Sequence, residues 1–206
     1  MFLTDQEQIR LIKSWWKTYG YHVVFTTLVV LLGVFGWRYW NGYSKNYLER
    51  ASVDYMQLLH TYEQQKTDDC EKIARGLVSN YPSSIYASMA SLILAKRAVE
   101  AGDLKLAEEK LRFVMEKAPA KNVRQLARIR TARLLIEEKR YEESLQLLRY
   151  VDDKRYMAGV NEIAADALYK LGRKEEAKIF YEKAKGELGK LNSVHSPLLE
   201  MKLQRF

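Results

Sequence analysis

The hydrophobic pattern of the chain changes character once. From Tyr21 to Trp40 the sequence YHVVFTTLVVLLGVFGWRYW is apolar all round, and no Asp, Glu, Lys or Arg stands between Lys17 and Arg38. At ~1.5 Å rise per residue, a helix of about twenty such residues matches a hydrocarbon core of roughly 30 Å. A helix also satisfies its own backbone hydrogen bonds there. Tyr19 and Tyr21 at one end, and Trp37, Tyr39 and Trp40 at the other, set amphipathic rings at both interfaces. Trp37-Arg38-Tyr39-Trp40 is too bulky for a signal-peptidase site. The pattern predicts an uncleaved transmembrane helix over 21–40. Before it, Ile9, Ile12, Trp15, Trp16 and Tyr19 share one helical face, Arg10, Lys13 and Lys17 share another, and Thr4 with Glu7 reads as a capping box. Residues 1–20 are thus expected to form an amphipathic segment at the headgroup level.

After the span the pattern becomes amphipathic. Asn41-Gly42 predicts a break, and a helix is expected to resume with Tyr47, Leu48, Ala51, Tyr55, Leu58, Leu59 and Tyr62 at helical spacing. Thr67-Asp68-Asp69 predicts the cap of a further helix that ends at Tyr81-Pro82. Ser83-Ser84 starts the next, Gly102-Asp103 turns it into another, and Pro119 ends that one. The helix–turn–helix pattern recurs twice more, with turns near Lys139-Arg140 and at Gly172-Arg173. Ser196-Pro197 opens a short last helix, expected to cap the array.

This alternation carries a repeat. In ASLILAKRAVEAGDLKLAEEKLRFVMEKAP a small residue, Ala107, stands early in the second helix. Leu111 follows four positions later, Ala95 is a small site on the first helix, Gly102 takes the turn and Pro119 ends the unit. Ser144 with Leu148 and Ala132 repeats the arrangement, as does Ala177 with Tyr181, Gly172 and Ala165; Cys70, Ala74 and Pro82 fit loosely. The intervals from Cys70 to Ala107, Ser144 and Ala177 are 37, 37 and 33 residues, near the ~34 of a tetratricopeptide repeat. The units resemble degenerate tetratricopeptide repeats. Helical pairs that bury their faces on neighbours predict a solenoid over 41–206. The fold class expected is all-α: one transmembrane helix, a tetratricopeptide-like helical-pair solenoid and a C-terminal capping helix.

Composition supports helices, with ten Gly and three Pro in 206 residues. The net charge is +8; residues up to 40 contribute +2 (Arg10, Lys13, Lys17 and Arg38 against Asp5 and Glu7), leaving +6 dispersed among Lys/Glu pairs. That mild excess does not imply nucleic acid. Three cations on each side of the span (Arg10, Lys13, Lys17; Arg38, Lys45, Arg50) leave the charge rule undecided on orientation. Cys70, the one cysteine, stands at a small-residue site and reads as a packed thiol. His22, His60 and His195 are isolated, no nucleophile or phosphate-loop motif occurs, and Glu162 with Asp166 reads as a helix surface. No catalytic, metal or cofactor-binding residue is predicted. One stretch stands apart: Lys117 to Ile136 has no acid but carries Lys117, Lys121, Arg124, Arg128, Arg130 and Arg133. Two readings stand for it: a basic patch (Lys121, Arg124, Arg128, Arg130) for an acidic partner or anionic headgroups, or a solvated face balanced by Glu137, Glu138, Glu142 and Glu143.

Taken together, a short charged N-terminus, a span ending in Gly36-Trp37-Arg38-Tyr39-Trp40-Asn41, the degenerate repeats and the terminal Pro197-Leu198-Leu199-Glu200-Met201-Lys202-Leu203 resemble the YfgM family of ancillary SecYEG translocon subunits. The resemblance covers nearly the whole chain. It implies a bacterial inner-membrane protein with a cytosolic N-terminus and a periplasmic domain. As partners it implies the SecYEG translocon and a membrane-anchored periplasmic chaperone of the PpiD type; unfolded secretory chains are a further expected partner of the solenoid. A non-enzymatic, membrane-tethered interaction protein follows. The rival is a membrane-anchored scaffold for cell division or envelope assembly without translocon contact. In tetratricopeptide arrays the first helix of each pair lines the concave surface. Carried onto this chain, that places Met89, Leu92, Lys96, Leu126, Ile129 and Arg133 in a partner groove, which Tyr55 and Tyr62 extend. Burial in the core is an equal alternative for Leu92 and Ile129. In the span, Gly33 and Gly36 are sites either of close helix contact with a membrane partner or of plain lipid packing.

Overall fold

The computed structural model describes residues 5–190 and 196–206, and among these it contains helices and turns with no strand. The expected capping box at Thr4, the surface His195, and the side chains of Ile12, Tyr39 and Trp40 lie outside the described residues. The chain divides into two units, residues up to Glu49 and Arg50–Phe206.

The first helix, α1, runs unbroken over Asp5–Glu63. The break expected at Asn41-Gly42 does not form. Gly in a helix interior costs only about 1 kcal/mol relative to Ala, and no proline stands in this stretch to remove a backbone donor. Over Trp15–Arg38 the helix is long and apolar enough to cross a membrane, and only 6% of that apolar stretch is buried. Two of its hydroxyls are satisfied within the helix: that of Thr26 donates to the His22 carbonyl at 2.8 Å and that of Thr27 to the Val23 carbonyl at 2.7 Å.

The second unit consists of four helical pairs. The end of α1 pairs with α2 (Thr67–Asn80). Next come α3 (Ile85–Glu100) with α4 (Leu104–Lys117), and α5 (Lys121–Glu137) with α6 (Tyr141–Leu148). After a 3-10 turn at Lys154–Tyr156, α7 (Met157–Lys170) pairs with α8 (Lys174–Lys190), and α9 (Pro197–Leu203) follows. From α2 to α9 each helix packs on the next, the nearest-neighbour stacking of a solenoid. Thr67 does not cap α2. The N-cap is Lys66 without a side-chain bond, and Asp68 and Asp69 instead place their charges in the first turn. By contrast Ser84, Asp103 and Ser196 cap α3, α4 and α9 through their side chains.

Each pair turns the same way. Gln65, Gly102, Lys139 and Gly172 all have positive φ, between 58° and 80°, and their intervals are 37, 37 and 33 residues. At each, the following amide reaches back five residues, as in Asp103 N to Ala98 O (2.8 Å) and Arg140 N to Leu135 O (2.8 Å). This is the Schellman close, which favours Gly; Gln65 and Lys139 adopt it without one. The small sites at the crossings are fully buried: Cys70, Ala107, Ser144 and Ala177. Ser144 spends its hydroxyl across its crossing, donating to Ala132 O at 2.8 Å.

The first pair obeys the repeat in mirror form. Pairs two to four set a small residue on the first helix (Ala95, Ala132, Ala165) against a large one on the second (Leu111, Leu148, Tyr181), and all six are buried. At the same register pair one has Leu58 on α1 and Ala74 on α2, both fully buried in one cluster with Cys70 and Leu77. The volume is conserved and its side exchanged, which a core tolerates.

Candidate functional site

The first helices of pairs two and three leave a cleft of about 500 Å³ between them. Its walls are Leu92, Ala95 and Val99 of α3 and Leu134 of α5; Leu104 and Leu111 of α4 contribute apolar surface. Its rim is charged: Lys96 and Glu100 from α3, Arg130, Arg133 and Glu137 from α5. Arg133 and Glu137 also border a second depression, lined by Ile136 of α5, by Glu162, Ile163 and Asp166 of α7, and by Leu198 and Lys202 of α9. The two share Arg133 and Glu137 and so follow one another as a path along α3, α5 and α7.

Of the residues expected in a groove, Leu92, Lys96 and Arg133 meet at this cleft. Leu92 is 7% exposed, so it belongs to the core and the cleft wall at once. Met89 packs against the same core cluster. Ile129 does not line the cleft. It is buried with Ala132, Leu148 and Val160, because it points inward between pairs three and four. Leu126, half-buried, does not line it either. The Tyr55 ring lies 5.5 Å from that of Tyr86, tilted by 41°, beside the first core cluster. Tyr62 does not line the cleft but touches its rim: its hydroxyl accepts from Lys96 Nζ at 2.7 Å, and that bond, followed by the Glu100 charge, raises the Lys96 pKa.

The acid-free run is divided by the structure. Lys121 pairs with Asp152 at 2.7 Å, Arg124 donates to the carbonyls of Ala118 (2.6 Å) and Pro119 (3.0 Å), and Arg128 reaches Tyr150 O at 3.5 Å. These three tie α5 to neighbouring loops. They work beside fully buried Gln125, which donates to Asp152 and accepts from Asp153 N at 3.0 Å. Arg130 instead turns to the cleft. Among the described residues neither Arg130 nor Arg133 has a hydrogen-bond or ion-pair partner. Arg140 behaves differently. It pairs with Glu143, Glu108 and Glu138, each at 2.7 Å, and those carboxylates raise its pKa. Burial alone would push Glu108 up, but Arg140 and Arg112 hold its carboxyl below the ordinary value.

At the end of the path, Lys202 Nζ bonds Glu162 Oε1 and Asp166 Oδ2, both at 2.8 Å. The Tyr181 hydroxyl donates to Asp166 Oδ1 at 2.5 Å. Burial, and then this bond to a carboxylate, raise the Tyr181 pKa. Burial pulls Lys202 down, yet the hydrogen bonds of Asp166 and Glu162 outweigh it and raise its pKa. Glu162 and Asp166 thus anchor the capping helix, a role no local signal marks. Among the described residues no group of three or more His, Cys, Asp or Glu is placed to hold a metal. In the span, a Cβ at Gly33 or Gly36 would meet nothing within 4 Å, so both present backbone to the helix exterior.

A family whose sequence model is described as a tetratricopeptide repeat-like domain matches residues 13–206. The chain belongs to this family. The tetratricopeptide repeat-like chain is also similar to proteins named ancillary SecYEG translocon subunit, as the resemblance in its sequence implied. That of Aggregatibacter actinomycetemcomitans is 28% identical, over 92% of this chain and 92% of its own. Those of Haemophilus influenzae (24% identical; 88% and 89% covered) and Escherichia coli (22%; 98% and 97%) are similar over comparable lengths. No solved structure matches the chain.

Proposed function

We propose that this protein is a non-enzymatic, membrane-anchored subunit of the SecYEG translocon that holds a partner or an emerging secretory chain in the path along α3, α5 and α7. The observation that carries the reading is the apolar cleft beneath Lys96, Arg130 and Arg133, two of whose cations have no partner among the described residues. Apolar walls suit side chains, and the rim suits carbonyls and carboxylates. The names of its relatives supply the translocon. The N-terminus is cytosolic and the helical domain periplasmic, beside a membrane-anchored chaperone of the PpiD type. Anchoring keeps the cleft at high effective concentration near the channel exit.

The test is photo-crosslinking from Val99 in native membranes, read by quantitative mass spectrometry. Translocon subunits and secretory chains are the expected neighbours. The double variant K96E/R133E should keep its helicity and melting temperature but lose crosslinks, more so at low salt, where screening is weak. A set of neighbours made up of division or envelope-assembly proteins without translocon subunits would replace this reading with a scaffold.

A further inference from the structure

The last pair shows what its surface takes when it is covered. Lys96 of pair two and Asp166 of pair four stand at the same repeat position, seventy residues apart (intervals of 37 and 33). The same step carries Leu92 to Glu162, Val99 to Tyr169 and Leu111 to Tyr181. In pair four every one of these positions meets the C-terminal segment. Lys202 bonds Glu162 and Asp166, while the Phe206 ring lies 5.7 Å from Tyr169 and 5.9 Å from Tyr181. Leu199 is buried on the neighbouring Ala165. In pair two the equivalent positions line the open cleft.

The sign at the pairing position is inverted. Pair four presents two carboxylates and receives a lysine. Pair two presents Leu92 and Lys96, with Arg130 and Arg133 facing them from α5. Against Glu100, which lies 3.7 Å from Lys96, and Glu137, the three cations leave the rim net positive, so it favours an incoming carboxylate over a lysine. Resting on the proposed function above, we infer that the cleft between α3 and α5 takes a partner protein segment in which aliphatic side chains flank a carboxylate. The aliphatic groups fill the space between Leu92, Val99 and Leu111, and the carboxylate sits at the rim between Lys96 and the two arginines. Glu100 and Glu137 on the same rim offer acceptors to backbone amides, which a peptide has and an acyl chain lacks.

The probes are two fluorescein-labelled peptides of residues 196–206, one native and one carrying K202E, titrated by anisotropy against the full chain in detergent micelles. The K202E peptide is expected to bind at least about tenfold tighter than the native one, the equivalent of one charge pair. The protein variant R130E/R133E, its fold checked by circular dichroism, should reverse the preference; K178E on α8 should not. Preference for the native peptide would assign the cleft to the C-terminus of a second copy and overturn the proposal. Displacement of a fluorescent fatty acid without peptide binding would assign the cleft to lipid and overturn it equally. Absence of binding by either peptide, or indifference to R130E/R133E, also overturns it. If Val99 crosslinks to translocon subunits persist in those cases, only the charge assignment falls and the proposed function stands; without crosslinks both fall.

Discussion

Exchanging Leu58 and Ala74 tests the mirrored packing of the first pair. Both side chains are fully buried in one cluster. L58A removes three carbon groups from a closed site and should cost about 3 kcal/mol, within the ~2–5 measured for such truncations. A74L forces the same volume into a filled crossing and should cost about 2 kcal/mol. If the sites were independent, the double variant would lose about 5 kcal/mol. The structure says otherwise, because L58A/A74L gives pair one the order that Ala95/Leu111, Ala132/Leu148 and Ala165/Tyr181 already use. We expect the double variant to lose only about 1–2 kcal/mol, a coupling of roughly 3 kcal/mol that only contacting residues show. At about 2–4 °C per kcal/mol for a domain of this size, L58A should lower Tm by ~6–12 °C and the exchange should recover most of it. The assay is thermal unfolding followed by far-ultraviolet circular dichroism. A double variant that melts at or below the sum of the two single losses would refute the shared register.

Three further outcomes follow from the fold. The raised pKa values of Lys202 and Tyr181 lend stability that is complete below their ordinary values of 10.5 and 10.0 and is lost as pH rises through the higher folded values; denaturant midpoints of K202M should therefore fall less than those of the parent above about pH 10. Gly102 has open space around it but a φ of +78°, so G102A should lose about 1 kcal/mol through backbone strain alone, visible as a Tm lower by ~2–4 °C. In the span, G33L/G36L should insert normally yet recover less translocon on co-purification; unchanged recovery would leave these glycines to lipid.

The small residues made the repeat legible in the sequence, because a close crossing excludes bulk and the 37- and 33-residue steps of Ala107, Ser144 and Ala177 survive every other change. The first pair was obscure for a physical reason: Leu58 and Ala74 conserve the volume of the crossing but exchange its sides, so a search for small-then-large fails there. Two of the four turns lack the glycine that announces them, since Gln65 and Lys139 tolerate positive φ. Cleft residues were partly readable from helix register, which places Leu92, Lys96 and Arg133 together. It does not tell which way Ile129 turns once α7 packs on α5. The acid-free run left two readings open, since consecutive cations on a helix point around all its sides. Only the structure separates Lys121, Arg124 and Arg128, which hold loops, from Arg130 and Arg133. The Lys202 anchor was invisible because its partners stand 36 and 40 residues upstream.

Cys70 gives the protein a clock of its own. It is the chain's single thiol, and it is fully buried at the crossing of the first pair. An alkylating reagent can reach it only while that pair is open. In a stack whose members touch only their neighbours, the first pair can open without the rest. The labelling rate of the unaltered chain, set against that of the unfolded chain, therefore reads the local opening equilibrium of one repeat, with no engineered probe. Its denaturant dependence reports how much surface each opening exposes. Added binding partner would slow the labelling only if it stabilises that first repeat, so one reagent and one residue distinguish an occupant seated there from one seated farther along the array.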